Sequence, residues 1–160
     1  MRFNHLFVTI FVLMSVASCT NDDNEMPMIN IENITIKGNG TSTDNLYTGD
    51  TLTIDINLQS GKKDLSSFSC KYNDIEDFEL SIISIDDNTT VYEGNDIATS
   101  PNQDCTITFR DGTFSTDITI QTVLWSATEQ SPQLNLYLFS EKETAHKDID
   151  LHVVGLPPLK

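Results

Sequence analysis

Apolar and polar residues alternate along most of this chain with a period of two. Leu52, Ile54, Ile56 and Leu58 are separated by Thr, Asp and Asn, the pattern of a strand with one face in a core. The pattern returns in Phe68, Cys70 and Tyr72, in Phe78, Leu80 and Ile82, and in Cys105, Ile107 and Phe109. Phe114, Ile118, Ile120 and Leu124 share one face of a further strand, and Leu134, Leu136 and Leu138 define another. Ile149, Leu151 and Val153 close the series. The phase slips between Ile29/Ile31 and Ile34/Ile36, which a β-bulge supplies. Ile83 and Ile85 also fall on the opposite phase from Ile82.

Turn-forming residues punctuate these runs at fairly regular spacing. Thr48-Gly49-Asp50, Ser60-Gly61-Lys62-Lys63 and Asp86-Asp87-Asn88 each end or begin a strand. Asp111-Gly112 is a strong hairpin signal. Residues 89–104 read as a loop with one short strand near Val91-Tyr92, and the polar segment 141–147 is the one place a short helix fits. The sum is about seven or eight strands rich in Thr and Ile, which predicts an all-β fold, an antiparallel β-sandwich.

The N-terminus does not fit this pattern. Arg2 precedes the apolar run Leu6–Met14, which has the length of a signal-peptide core and is too short to span a bilayer. Val16-Ala17-Ser18-Cys19 then places small residues before a cysteine and resembles the lipobox of bacterial lipoproteins. That resemblance implies cleavage before Cys19, acylation of Cys19 and a membrane anchor of several acyl chains, which holds stably where one chain does not. Asp22, Asp23 and Glu25 follow, resembling the acidic surface-export signal of Bacteroidetes lipoproteins, although Asn21 stands where Lys is often found. The implied location is the outer membrane with the domain facing the cell exterior. A plain acidic tether is the alternative. The expected organisation is a signal peptide over 1–18, a lipidated Cys and tether over 19–28, and one sandwich domain over 29–160.

Composition narrows the partners. The 24 Asp and Glu against 9 Lys and Arg give a net charge of −15, which repels phosphate backbones and argues against nucleic acid. With Cys19 assigned to lipid, Cys70 and Cys105 remain. In an oxidising compartment they are a candidate disulfide, and two buried thiols are the alternative. Tyr47-Thr48-Gly49-Asp50-Thr51-Leu52-Thr53-Ile54 looks like the early strand of bacterial immunoglobulin-like extracellular domains. The chain as a whole thus resembles a small surface lipoprotein of the Bacteroidetes type with one immunoglobulin-like β-sandwich.

Catalytic chemistry finds little to use. His146 and His152 are the histidines of the domain, and no nucleophile elbow, zinc-protease helix or phosphate loop occurs. The chain is therefore read as a non-enzyme with no cofactor. Asp86, Asp87 and Asn88 offer oxygen ligands for calcium, but the twelve-residue calcium loop is missing, and a charged turn accounts for them. The sharpest binding expectation concerns aromatics. If strands 114–124 and 134–138 pair as a hairpin, Trp125, Tyr137 and Phe139 share an exposed face with Gln121, Gln133 and Asn135. Such a face suits a glycan or a protein ligand. A covered second core layer is the bland reading of the same residues. A structural or assembly subunit of an outer-membrane or periplasmic complex is the alternative function.

Overall fold

The computed structural model describes residues 26–38, 45–72, 78–85, 104–125 and 131–155. It is all-β, with ten strands among these residues. They are β1 (Met28–Lys37), β2 (Leu46–Tyr47), β3 (Thr51–Gln59), β4 (Leu65–Tyr72) and β5 (Phe78–Ile85), followed by β6 (Asp104–Thr108), β7 (Ser115–Leu124), β8 (Gln133–Ser140), β9 (Thr144–Asp150) and β10 (Val153–Gly155).

Two four-stranded antiparallel sheets face each other. Sheet I has the order β1-β3-β7-β5 and sheet II the order β6-β4-β8-β9. The period-two residues of both sheets meet in one core. Leu52, Ile54, Ile56 and Leu58 of sheet I and Phe68, Leu134, Leu136 and Leu138 of sheet II are each at most 1 % exposed. The pair β2–β10 is a small parallel exception at one end, where Leu46 N–H donates to His152 O at 2.9 Å.

In the two four-stranded sheets the strand order is that of an immunoglobulin-like sandwich with one addition. β1, β3, β7 and β5 occupy the places of strands A, B, E and D, and β4, β8 and β9 those of C, F and G. The short β6 is inserted between D and E in the sequence and adds to the free side of C.

Local chemistry explains the joints. The phase slip in β1 is a bulge, with the register against β3 shifting between Ile31 and Asn33. A second shift between Ile82 and Ser84 in β5 leaves Ile83 39 % exposed. The Thr48-Gly49-Asp50 turn is locked by Asp50, which is fully buried. Its carboxylate accepts the Tyr47 N–H at 2.8 Å and its carbonyl accepts the Leu124 N–H at 3.1 Å. Gly49 holds the left-handed backbone at φ 85° that closes this turn.

Three sequence expectations are corrected. Asp111-Gly112 does turn, with Gly112 at φ 85°, but it is an arch and not a hairpin: β6 lies in sheet II and β7 in sheet I. The Gly112 N–H donates to the Asp64 carboxylate at 2.5 Å, a partner distant in sequence that holds the arch. Phe114 lies in this arch, ahead of β7, and is 56 % exposed rather than in the core. Segment 141–147 is no helix. Ser140 N–H donates to Glu143 O at 2.9 Å, closing a tight connection into β9. That strand lacks apolar alternation because it is an edge strand, and its Lys147 points an ammonium to Ile29 O at 3.4 Å across the sandwich side. Asp86-Asp87-Asn88 and Val91-Tyr92 lie outside the described residues.

Candidate functional site

The faces that point away from the core carry whatever this domain presents. On sheet II, β8 is an inner strand between β4 and β9, so its outward residues lie between two sets of neighbours. Across from Tyr137 stand Ser69 on β4 and His146 on β9, and across from Phe139 stand Ser67 and Thr144. Cross-strand neighbours on one face are close enough for rings to touch.

They do touch. The Tyr137 and His146 rings stack with centroids 4.5 Å apart and planes at 15°. The Phe139 ring lies 6.3 Å from Tyr137 at 20°. The Lys71 ammonium sits 5.4 Å from the Tyr137 ring centroid, in range for a cation–π contact. His146 Nε2 meets the Asp148 carboxylate at 2.6 Å, which fixes the imidazole plane. Tyr137 and Phe139 are partly exposed, while Lys71 and His146 are exposed. Hydroxyls border the stack, with Thr106 Oγ1 donating to Ser69 Oγ at 3.1 Å.

The six residues expected to form one patch are divided between two faces. Gln121 and Trp125 belong to β7 and its end in sheet I, whereas Gln133, Asn135, Tyr137 and Phe139 belong to β8 in sheet II. β7 pairs with β3 and β5, and β8 with β4 and β9, so the expected hairpin between them does not form. The two outer faces lie on opposite sides of the core, and Trp125, 57 % exposed, does not join the rings. Asn135 is 4 % exposed and donates to Gln133 O at 3.1 Å, while Gln133 donates to Asp150 at 2.9 Å. Both amides are thus bonded within the fold. Lys71 and His146 are the members that sequence reasoning missed, and His146 is the closer of the two to Tyr137. Its signal was available: folding 140–144 back as a hairpin sets His146 opposite Tyr137.

The middle of the outer face of sheet I is a ladder of polar side chains bonded to one another. Asn57 accepts from Gln59 at 2.7 Å and donates to Asp117 at 2.6 Å. Asp55 accepts from Thr119 at 2.9 Å and from Asn33 at 3.2 Å.

Two clefts elsewhere among the described residues are large enough to note. One, of about 470 Å³, lies beside the arch near Asp64, Asp111 and Glu141. Asp64 is bonded to the Gly112 N–H, and Glu141 to Lys63 at 3.1 Å. The other, of about 260 Å³, opens at the β1–β9 side and is lined mainly by Ile34, Ile36, Leu52, Ile149 and Leu151. Among the described residues no cluster of His, Cys, Asp or Glu is arranged to hold a metal ion. Cys70 and Cys105 are buried thiols set directly opposite each other on β4 and β6. A hydrogen bond with Cys105 and burial push the Cys70 thiol well above its usual pKa. Cys19, Asp22, Asp23, Glu25 and Asp86, Asp87 and Asn88 lie outside the described residues.

No protein-family profile matches this chain, and no curated protein is similar to it in sequence. Solved structures share its fold. The C-terminal domain of the antigen I/II polypeptide BspA of Streptococcus agalactiae superposes with a TM-score of 0.54 at 12 % identity, over 80 % of this chain and 49 % of that one. The C-terminal domain of the antigen I/II-family protein AspA of Streptococcus pyogenes gives 0.53 at 14 % identity, over 83 % and 53 %. A DUF4466 family protein of Parabacteroides merdae gives 0.49 at 10 % identity, over 78 % and 43 %. The chain spans about half the length of these structures.

Proposed function

We propose that this chain is a lipid-anchored, non-catalytic binding module of the outer membrane, displayed toward the cell exterior, and that it binds a protein ligand through the outer face of sheet II. The observation that carries this reading is the Lys71–Tyr137–His146 stack with Phe139 beside it, partly exposed on a rigid sheet. Aromatic side chains braced by ring and cation contacts with their neighbours lose less entropy on contact and act as anchors in protein interfaces.

The geometry favours protein over glycan. Sugar rings stack on free aromatic faces and need side-chain amides for their hydroxyls. One face of Tyr137 is taken by His146, and the amides of Asn135 and Gln133 are occupied. What remains is ring edges, the Tyr137 hydroxyl, Lys71 and a hydroxyl border, a surface suited to backbone and side chains of a partner. The lipid anchor rests on the Leu6–Met14 run and the Val16–Cys19 motif, and surface display on Asp22, Asp23 and Glu25.

A photo-reactive amino acid placed at Phe139 in the full chain, on intact cells, tests the site. The expected result is a discrete protein adduct from position 139 and none from position 121 on the opposite face. Adducts from both positions or from neither would remove sheet II as the site. Retention on a glycan array abolished by Tyr137→Ala would replace the protein ligand with a sugar. Protease shaving of intact cells tests display: digestion with a periplasmic control spared is expected, and protection until lysis overturns it.

A further inference from the structure

Cys70 lies on β4, inside the immunoglobulin-like frame, and Cys105 on β6, the inserted strand. The register sets them opposite each other, Cα to Cα. Phe109 N–H donates to Ser66 O at 2.9 Å, which makes Ser66/Phe109 a hydrogen-bonded pair. Pair type repeats every second residue, so Cys70/Cys105 is hydrogen-bonded too, with Cα atoms about 5.5 Å apart. That spacing falls within the ~4.4–6.8 Å Cα range of a disulfide, and closing the bond draws the Cβ atoms, about 5 Å apart in such a pair, in to about 4 Å. Both side chains point to the same side of the sheet, into the core, at 0 % and 3 % exposure. The Cys70 sulfur lies 3.8 Å from Cys105 O, and Cys105 Sγ donates to Leu80 O at 3.2 Å.

We propose that Cys70 and Cys105 are a disulfide-forming pair whose bond fastens the inserted edge strand β6 to the frame strand β4. β6 is five residues long and, among the described residues, pairs with β4 alone, so the bond adds a crosslink to a strand held there by hydrogen bonds. The bond forms during folding, before burial closes the thiols to reagents. The Cys70 thiolate attacks a small disulfide oxidant and expels one thiolate, which takes a proton. The Cys105 thiolate then attacks the Cys70 sulfur of the mixed disulfide and expels the second. Two protein thiols are oxidised, and one oxidant disulfide is reduced to two thiols. The inference is independent of the ligand and of the membrane face.

The test uses the full chain in detergent, unfolded and reduced, then refolded with oxidised glutathione. It is denatured, treated with N-ethylmaleimide and mapped by peptide mass spectrometry, so that Cys19 is read separately. The expected product is a linked peptide pair containing Cys70 and Cys105, free of maleimide and released by reductant. The linked form melts roughly 10 °C above the reduced form. A Cys70→Val/Cys105→Val variant, which keeps the core apolar, melts at one temperature in either redox state. Maleimide on both cysteines after refolding with oxidant, or pairing of either with Cys19 or a second chain, overturns the proposal.

Discussion

In the middle of sheet I's outer face the side chains around Asn57 and Asp55 bond to one another, with Ile83 and Trp125 exposed singly on β5 and at the end of β7, and on the outer face of sheet II a group of rings stacks together and stays partly exposed. Both faces belong to four-stranded antiparallel sheets over the same core, and both are built from every second residue. Sheet I places Asn, Asp, Thr and Gln there, and Asn57 and Asp55 each join several of them. A donor already paired with an acceptor gains little from a new partner, because one hydrogen bond is exchanged for another. Sheet II places Lys71, Tyr137, Phe139 and His146 there, whose ring surface and charge still have area to bury. Exposure alone does not make a binding face. Unsatisfied surface held in fixed geometry does.

The largest expected effect is on binding. Tyr137→Ala with Phe139→Ala should weaken ligand capture about 100-fold, on the order of 2–3 kcal/mol, in a titration with the crosslinked partner. Gln121→Ala on the opposite face should change it less than about twofold. Equal losses on both faces would erase the contrast.

Tyr72 supplies the next test, since it is the tyrosine of sheet II that faces inward. Burial pushes its phenol well above the usual range. The folded pKa is raised, so full stability is present below the unfolded value near 10 and is lost as pH rises above it. Chemical denaturation should show stability falling by about 1.4 kcal/mol per pH unit above pH ~10, up to the folded pKa. Tyr72→Phe should remove that fall, and Tyr137→Phe, on the outer face, should leave it in place.

The sheet I ladder predicts a stability effect without a binding effect. Asn57→Ala removes its bonds to Asp117 and Gln59 and should cost about 1 kcal/mol by denaturant titration, with affinity unchanged. The smallest change is His146→Ala. It frees one face of Tyr137 and should cost about 0.5–1 kcal/mol of stability through the lost stacking. If His146→Ala also lets the chain bind a glycan array, the covered ring face was what excluded sugars.

Alternation along the chain is enough to assign strands, because burying one face of a strand requires apolar residues at every second position. It located β3, β4, β7 and β8, the bulge in β1 and the turn at Asp50. It overlooked β9, whose edge position relieves it of the need to alternate. It also placed Phe114 in a strand that begins one residue later. The Cys70–Cys105 juxtaposition was open from spacing and is decided by register.

What the sequence alone determined is therefore local: which segments are strands, which face of each is apolar, and which residues turn the chain. Those properties depend on side chains within a few positions of one another. What only the tertiary structure decided is which strands are neighbours. A strand's pattern records that one face is buried, not against which sheet or beside which partner. Asp111-Gly112 carries a hairpin's residues and forms an arch, because Asp64, far away in sequence, accepts its N–H and the chain crosses to the other sheet. The same crossing separated Trp125 from Tyr137 and Phe139, and β8–β9 pairing brought His146 in its place.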